Sequence, residues 1–313
     1  MIAEHTATLL ALLIVEAAAG YPAAALEVVG HPVMWIGRLI GICENRWNAG
    51  SARRRRVAGC ALVLLLLITA AGVGLCIEIG AHSLLPAPLA YVVVVVMGTT
   101  GLAQRSLDDH VAAVLEPLQS GNLATARTAA GRIVGRDTVS LDQTGVSAAA
   151  IESLAESFCD GVVAPAFWFF VAGLPGLLFY KGMNTADSMI GHRDARHEMF
   201  GRAAARTDDL LNLVPARLAG SMLCVAGGRG WRTMLRDAPK HASPNAGWPE
   251  AAMAGALASM LGGPVSYDGE ATWRPTFGDG APPDIGSLQR ALTIYRRACI
   301  LLWVLVGGLA WLL

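Results

Sequence analysis

Three acidic side chains at regular spacing are the first residues of this chain whose pattern suits chemistry. Glu152, Glu156 and Asp160 stand at i, i+4 and i+8 in the segment IESLAESFCD, and an α-helix brings such positions to one slowly rotating face. Proteins hold Mg²⁺ with one or two carboxylates together with substrate phosphates. The spacing therefore predicts either the metal side of a catalytic site or a solvated acidic stripe on an amphipathic helix.

A second group of polar residues follows in the segment YKGMNTADSMIG. Asn184, Asp187 and Ser188 occupy positions i, i+3 and i+4, so we expect their side chains to point together into a pocket at the start of a helix. Asn and Ser also cap helices without any catalytic role. A structural interpretation of this group therefore stays open.

A third group combines two acids, an amide and an arginine in the segment TDDLLNLVPAR. Asp208, Asp209 and Asn212 share a helix face, and Arg217 follows within apolar surroundings. An arginine grips a phosphate through two parallel hydrogen bonds, but a buried arginine near acids can also be only a structural ion pair. Both interpretations fit the pattern.

The segment SPNAGWPEAA predicts the beginning of a helix, because proline suits the first helical turn. Its polar residues are Ser243, Asn245 and Glu250. The free amides at such a helix start attract phosphate groups. Glu250 could instead satisfy the helix dipole by itself, so the segment predicts either a phosphate site or a self-capped helix.

His31 precedes a proline in an apolar segment, and Arg38 stands seven positions later on the same side of a predicted helix. A histidine in this setting is either a hydrogen-bonded packing residue or a base. Arg38 would then be a second cationic group beside it.

The elements that must position these residues are expected to be membrane helices. Hydrophobic residues make up 54% of the chain and charged residues 15%, against about 25% charged residues in ordinary soluble domains. The mean hydropathy is +0.48, and a span needs about 20 mostly apolar residues. Candidate spans are residues 57–79, 84–103, 161–180, 210–226 and 298–313, with residues 9–19 as a further membrane or interfacial helix. We expect an all-α, polytopic membrane protein with four or five transmembrane or re-entrant helices.

Four consecutive arginines at positions 53–56 predict the orientation of the chain, because basic residues beside a span tend to stay in the cytoplasm. We expect helical cytoplasmic portions at residues 30–56, 104–160 and 227–297, in one membrane domain of residues 1–313. The protein is then a multi-pass protein of the inner, cytoplasmic membrane. We expect its functional site to face the cytoplasm.

Residues 161–180 are the exception to this scheme. If they cross the membrane fully, the basic segment 181–209 lies outside, against the positive-inside tendency. Gly173 and the prolines around it would also allow a re-entrant pair of half-helices. The sequence leaves both arrangements open.

Other observations exclude several functions. The formal net charge is zero and no basic face is interleaved with aromatic residues, which disfavours nucleic acid as a partner. The six cysteines contain no CxxC pair, which disfavours metal–thiolate and redox chemistry.

The periodicity predicts helices on both sides of a turn at residues 120–122 and only minor strands.

Six segments, in order along the chain, resemble the CobD/CbiB family of cobalamin biosynthesis, whose members are integral membrane proteins described as adenosylcobinamide-phosphate synthases. They are residues 31–40 (HPVMWIGRLI), 135–142, 149–168, 173–193 (GLPGLLFYKGMNTADSMIGHR), 200–218 and 241–270. Blocks of this length in a fixed order are far more specific than a short motif.

The resemblance implies ATP-dependent amide ligation of adenosylcobyric acid with (R)-1-aminopropan-2-ol or its O-phosphate. ATP and Mg²⁺ are therefore expected, although the chain contains no nucleotide-binding motif. The expected partners are the corrinoid, the amine and the lipid bilayer, and other cobalamin biosynthesis enzymes are possible partners.

For this activity we assign roles to the groups described above. The expected catalytic residues are Asp187, Asp208, Asp209 and His31. The expected substrate- or phosphate-binding residues are Arg38, Lys181, Asn184, Ser188, Asn212, Arg217, Ser243, Asn245 and Glu250. Glu152, Glu156 and Asp160 are the expected Mg²⁺ ligands.

Two alternatives belong to other classes of function. A non-catalytic membrane scaffold for cobalamin assembly enzymes would tolerate replacement of Asn184, Asp187 and Asp209. A transporter of corrinoids or amino alcohols would also place polar residues at membrane depth, often around broken helices. We detect no repeat symmetry between the two halves of the chain that would favour a transporter.

Overall fold

The computed structural model of this chain is almost entirely helical and describes residues 2–21, 27, 30–135, 137–192, 194–267 and 270–313. The described helices are α1 (Ile2–Ala19), α2 (Pro32–Trp47), α3 (Ala52–Leu66), α4 (Gly72–Leu84), α5 (Ala87–Thr99), α6 (Gln104–Gln119), α7 (Leu123–Ala130), α8 (Gln143–Phe158), α9 (Ala164–Ile190), α10 (Arg202–Leu211), α11 (Leu213–Gly227), α12 (Trp231–Asp237), α13 (Gly247–Leu257) and α14 (Ile285–Leu312). π-Helical turns at Leu67–Ala71 and Cys159–Val163 join α3 to α4 and α8 to α9, and Ala238–Lys240 is a 3₁₀-helix.

The membrane prediction is confirmed by the length and composition of these helices. Four of the described helical stretches are long and apolar enough to cross a bilayer: Ala52–Leu84, Ala87–Gln119, Gln143–Ile190 and Ile285–Leu312. The pair α10 and α11 passes the same test as one broken span with a bend of 49°. The total of four or five spans agrees with the prediction, as does the helix–turn–helix of α6 and α7.

The chain forms two compact units, each made of segments that are distant in sequence. Unit 1 contains Met1–Ala103, Ala164–Asn212 and Val306–Leu313, and unit 2 contains Gln104–Val163 and Leu213–Leu305. The core of unit 1 includes Leu62, Leu66, Met183, Ile190 and Phe200, all at most 2% exposed. This cluster packs the end of α9 against α3, so the polar residues of α9 are held on a rigid element.

Helix α9 is broken inside unit 1. Ala172 and Gly173 have non-helical dihedral angles, and Gly173 has φ +63° and ψ −153°, a region that only glycine occupies readily. The amide of Leu174 donates a hydrogen bond of 2.7 Å to Oε1 of Glu78 on α4. The break falls where the glycines and prolines of residues 161–180 predicted it, and a carboxylate satisfies the exposed backbone.

Unit 2 contains the small amount of strand structure. β1 (Leu261–Gly262) pairs with β4 (Thr276–Phe277), and β2 (Val265–Tyr267) pairs with β3 (Glu270–Thr272), both antiparallel. The small residues of α13 pack closely against the start of α12. A Cβ atom on Gly255 would lie 2.7 Å from Cα of Gly230, a separation that only glycine allows.

The buried Asp237 joins the end of α12 to the loop at Gly278. Asp237 is fully buried and accepts hydrogen bonds from Arg236 at 2.6 and 2.7 Å and from the amide of Gly278 at 2.8 Å. Lys240 lies 2.7 Å from the same carboxylate. The bonds to Arg236, followed by those to Lys240 and Gly278, outweigh burial and hold the pKa of Asp237 well below its usual range.

Candidate functional site

Helix α8 positions two of the three predicted acids of unit 2. Glu152 and Glu156 are one turn apart, and both line a cavity of about 110 Å³ together with Glu250 and Arg274. Asp160 lies in the π-helical turn Cys159–Val163, whose wider winding departs from the α-helical register. It is not among the described residues that line the cavity. Glu152 and Glu156 therefore share this cavity, and the role of Asp160 stays a prediction.

Arg274 lies between two buried carboxylates. Its Nη1 is 3.5 Å from Oε2 of Glu152, and its Nη2 is 3.3 Å from Oε2 of Glu250. Glu152 also accepts a 2.8 Å hydrogen bond from the amide of Gly262. The side chains of the two glutamates are 6% and 1% exposed, so a cation beside them offsets the cost of burying their charge.

His241 adds a titratable group to this network. Its Nε2 is 3.6 Å from Oε1 of Glu250, and its Nδ1 accepts a 2.9 Å hydrogen bond from the amide of Ser243. Burial, and then the positive charge of Arg274, lower the pKa of His241 below its ordinary value of 6.5. The ring is therefore neutral at pH 7, and its single proton lies on Nε2, facing Glu250.

The donor set around this cavity does not fit a protein-held metal ion. Among the residues that the structure describes, no group of three or more His, Cys, Asp and Glu side chains is placed to hold one. Arg274 supplies positive charge in the midst of the carboxylates instead. We therefore assign Mg²⁺ only as the ion that accompanies nucleotide phosphates.

Arg217 is the predicted phosphate ligand in the same unit. Its Nη1 donates to the carbonyl of Leu213 at 2.8 Å and to Oδ1 of Asn245 at 3.1 Å, and its guanidinium lies 4.6 Å from the centre of the Trp248 ring. All of these partners are neutral. No carboxylate pairs with Arg217 in the described part of the chain, so the ion-pair interpretation is not supported.

The predicted helix start at residues 243–250 is present, since α13 begins at Gly247. The hydroxyl of Ser243 accepts hydrogen bonds from the amides of Asn245 and Ala246 at 3.2 and 3.3 Å. Ser243 therefore satisfies the amides just ahead of the helix. Segment 241–250 therefore contacts two features. Glu250 lines the carboxylate cavity with His241 beside it, and Asn245 contacts the Arg217 guanidinium.

In unit 1 the structure brings Asp208 and Asn212 together with a residue that had no assigned role. The side-chain Nδ2 of Asn212 donates to Oδ2 of Asp208 at 2.9 Å, and the hydroxyl of Tyr180 donates to Oδ1 of Asn212 at 3.1 Å. All three side chains are buried. Asp209 points elsewhere, since its carboxylate lies 3.7 Å from Nη1 of Arg206 and is 29% exposed.

The polar residues at the end of α9 depart from the expectation in one respect. Asn184, Asp187 and Ser188 lie in the last turns of α9, which ends at Ile190, and not at the start of a helix. The reason is that the apolar residues between them continue the core packing of α9 through this segment. Lys181 lies one turn earlier and is half-buried.

The carboxylate of Asp187 lies against Gly191, four residues later, where there is no room for a side chain. A Cβ atom on Gly191 would lie 2.0 Å from Oδ1 of Asp187. Any side chain at position 191 would therefore displace this carboxylate.

His31 and Arg38 are not brought together by any described contact. Nδ1 of His31 accepts a hydrogen bond of 3.3 Å from the amide of Val33 and caps α2. Burial, and then the charge of Lys181, lower the pKa of His31. Arg38 is exposed on α2. The packing interpretation of His31 is thus the one that its contacts support.

Sequence reasoning missed Arg274, His241 and Tyr180. Arg274 follows the last segment that resembles the family and lies in a stretch of short strands. No helical period marks a face there. His241 and Tyr180 lie inside the quoted blocks, and their flanking positions gave no spacing that singled them out. Their roles arise from contacts between residues distant in the chain.

Comparison with known proteins concerns the chain as a whole and not the individual site residues. A family model described as CobD/Cbib protein matches residues 8–295. The cobalamin biosynthesis protein CobD of Rhodobacter capsulatus is 47% identical over 301 residues, which cover 95% of this chain and 94% of the relative. The protein of the same name from Sinorhizobium fredii is 42% identical over 305 residues, covering 93% and 92% of the two chains. The one from Rhizobium meliloti is 42% identical over 315 residues, covering 96% and 95%.

No solved structure matches this chain, so the comparisons concern sequence alone. The family match extends over nearly the whole length, and the relatives share well over a third of their residues with it. The chain belongs to the CobD/CbiB family of cobalamin biosynthesis proteins.

Proposed function

We propose that this protein catalyses ATP-dependent amide formation between a carboxylate of adenosylcobyric acid and (R)-1-aminopropan-2-ol O-phosphate, giving adenosylcobinamide phosphate. The observation that carries the proposal is the two-ended segment 241–250. A cavity rich in carboxylates lies at one end, and a guanidinium with only neutral partners lies at the other. A small molecule that bears both an ammonium group and a phosphate is complementary to these two ends.

The charges around the cavity support an ammonium ligand. Glu152, Glu156 and Glu250 bring three negative charges, Arg274 brings one positive charge, and His241 is neutral at pH 7. The excess of negative charge in a partly buried site attracts a cation. The exposed Glu156 stands at the rim, where an entering amine meets it first.

Arg217 supports the phosphorylated form of the amine. Its guanidinium is already positioned by Asn245 and by the face of Trp248, so less side-chain freedom is lost when a phosphate binds. The free amino alcohol offers nothing to this group. We therefore favour the O-phosphate over the unphosphorylated amine as the donor.

The reaction needs an activated acyl group, because a carboxylate is a poor electrophile. ATP transfers a phosphoryl or adenylyl group to the corrinoid carboxylate, and Mg²⁺ accompanies the nucleotide phosphates. The ammonium first gives one proton to a base, and the free amine then forms the C–N bond. The phosphate or AMP leaves with the C–O bond electrons, and a second N–H proton passes to a base as the amide forms. This chemistry faces the cytoplasm, where ATP is available.

The experiment is product formation by the purified full-length protein in detergent. Adenosylcobyric acid, Mg²⁺ and either aminopropanol or its O-phosphate are supplied with and without ATP, and the amide is detected by mass spectrometry. We expect ATP-dependent product. If folded protein still binds corrinoid but makes no amide, the synthase proposal fails and a scaffold becomes the better explanation.

Arg217→Gln separates the two donors. Loss of a phosphate contact by a charged group costs about 1.5–3 kcal/mol, or about 10- to 150-fold in kcat/KM for the phosphorylated amine. The kcat/KM for free aminopropanol should change little. The matched control is Arg232→Gln, which removes an exposed arginine outside both ends of the segment. Equal losses with both donors would contradict phosphate binding by Arg217.

A further inference from the structure

The four arginines at the start of the span Ala52–Leu84 are used in two different ways. Nε of Arg55 donates to Oδ1 of Asn48 at 2.7 Å, and its Nη2 donates to the carbonyl of Arg196. Nε of Arg56 lies 3.2 Å from Sδ of Met199. These two side chains tie the start of α3 to the loop that follows α9.

Arg53 and Arg54 have no such role. Within the described part of unit 1 their guanidinium groups make no hydrogen bond or ion pair. Both line a cavity of about 450 Å³, a volume typical of small-molecule sites. Its described lining is Trp47, Ser51, Arg53, Arg54, Val57, Ala58 and Ala61, which contains no acidic residue.

The lining changes from charged to apolar along a single helix face. Arg54, Val57 and Ala61 stand at i, i+3 and i+7, and the helix rise of about 1.5 Å per residue separates the first from the last by about 10 Å. Val57 is 63% exposed and begins the apolar part of the span. With Ala52–Leu84 as a span, we expect the charged end of the cavity at headgroup level and the apolar end in the hydrocarbon region.

Trp47 forms a fixed wall of this cavity. It packs against the unit 1 core of Leu62 and Phe200, and tryptophan is favoured where one side of a ring is apolar and the other meets the headgroups. The cavity is thus built on two helix ends, α2 and α3, and is not a gap beside a mobile side chain.

We propose that this cavity binds one anionic phospholipid. Arg53 and Arg54 hold the phosphodiester, and an acyl chain lies along Val57 and Ala61. Helix stability does not explain these arginines, because positive charge in the first turn of a helix opposes its dipole. Anionic lipids are concentrated in the cytoplasmic leaflet, where the positive-inside tendency places this end of the span.

The test is lipid retention by the purified full-length protein, measured by native mass spectrometry with phosphatidylglycerol or phosphatidylcholine at equal concentrations. Wild-type protein should retain one phosphatidylglycerol per chain and release phosphatidylcholine. Arg53→Gln/Arg54→Gln should weaken this binding about 25-fold, a factor of about five for each juxtamembrane arginine. Ala61→Phe, which keeps both charges, should also reduce retention because it fills the apolar end.

The matched control is Arg229→Gln/Arg232→Gln, which removes the same charge from exposed positions outside the cavity. It should retain the lipid as wild type does. Undiminished retention by Arg53→Gln/Arg54→Gln overturns the proposal, and so does an equal loss in the control, which would indicate general attraction. Displacement of the lipid by an equal concentration of inorganic phosphate would show a free-anion site instead and would also overturn it.

Discussion

At the scale of single residues, the candidate site of unit 2 depends on one arginine that two buried glutamates share. Arg274 lies within 3.5 Å of both Glu152 and Glu250. Removing one member of a buried ionic network leaves its partners charged and poorly solvated. The stability of the unit and the shape of the cavity should therefore respond to this position more than to most arginines of the chain.

We expect Arg274→Gln to lower the free energy of unfolding by about 3 kcal/mol. Adding Glu250→Gln to that variant should recover part of the loss, because one of the two orphaned charges is then removed. Unfolding in detergent, followed by circular dichroism, measures both changes. The control Arg232→Gln should stay within about 0.5 kcal/mol of wild type. Strictly additive effects of Arg274→Gln and Glu250→Gln would show that the two side chains are not coupled.

The lowered pKa values of two histidines predict how stability depends on pH between about pH 5 and 7. Burial, as the main cause, lowers the pKa of both His31 and His241 below 6.5 in the folded protein. Below pH 6.5 the unfolded chain binds protons at these rings that the folded chain does not bind. Their contribution is therefore present above pH 6.5 and is lost as the pH falls towards their folded pKa values.

We expect the thermal midpoint of wild-type protein to fall as the pH drops from 7 to 5. His31→Asn and His241→Asn keep an acceptor near Nδ1 but do not titrate, so each should flatten this profile and the double variant should flatten it most. Acids with lowered pKa values, such as Asp194 at about 2, lose their contribution only below this window. An unchanged slope in the double variant would contradict the assignment.

At the scale of elements, the break in α9 is the feature with the largest structural consequence. Gly173 permits a backbone conformation with φ +63°, and Glu78 satisfies the amide that the break exposes. In a membrane segment an unsatisfied amide costs several kcal/mol. Gly173 therefore allows the break in α9, and Glu78 stabilises it.

Gly173→Ala should destabilise the protein by about 1–3 kcal/mol through backbone strain alone. The added Cβ would also lie 2.5 Å from Oε1 of Glu78, which displaces the hydrogen-bond acceptor. The midpoint of thermal unfolding in detergent measures the loss. Gly80→Ala is the matched control, because it lies in α4 with no atom within 4 Å of the new Cβ, and it should be neutral or stabilising by up to about 1 kcal/mol. Equal midpoints for the two variants would contradict the role of Gly173.

At the scale of the whole molecule, unit 1 bears on how α9 enters the membrane. The loop after α9 is bonded to the start of α3, since Arg55 reaches the carbonyls of Ala195 and Arg196, and Arg196 forms two 2.7 Å hydrogen bonds with Glu44. Ala195 and Arg196 of the basic segment therefore lie at the arginine-rich end of the span Ala52–Leu84. This favours the re-entrant arrangement of residues 161–180, which the sequence alone left open.

Cysteine accessibility tests this topology. In a variant lacking the six native cysteines, Ser51→Cys and Glu198→Cys should both be protected from a membrane-impermeant maleimide in intact cells and labelled after permeabilisation. Ser83→Cys, at the opposite end of the span Ala52–Leu84, should be labelled in intact cells and serves as the control. Labelling of Glu198→Cys together with Ser83→Cys would show that residues 161–180 cross completely.

Sequence by itself determined the helical membrane architecture, the family and the positions of most helices. These follow from local properties: apolar length, helical period, capping residues such as Ser51 and Asp142, and ordered blocks of similarity. It also predicted that α9 breaks near Gly173, because glycine and proline act on the backbone where they stand.

Tertiary structure alone decided which polar residues meet. It grouped Arg274 with acids more than twenty and more than a hundred positions away, and it joined Tyr180 to Asn212. It also placed Asp160 in a π-helical turn and divided four adjacent arginines between a structural tie and an open cavity. Such pairings depend on which helix faces pack together. A periodic pattern shows that a face exists, but its partner is chosen by the packing of the whole unit.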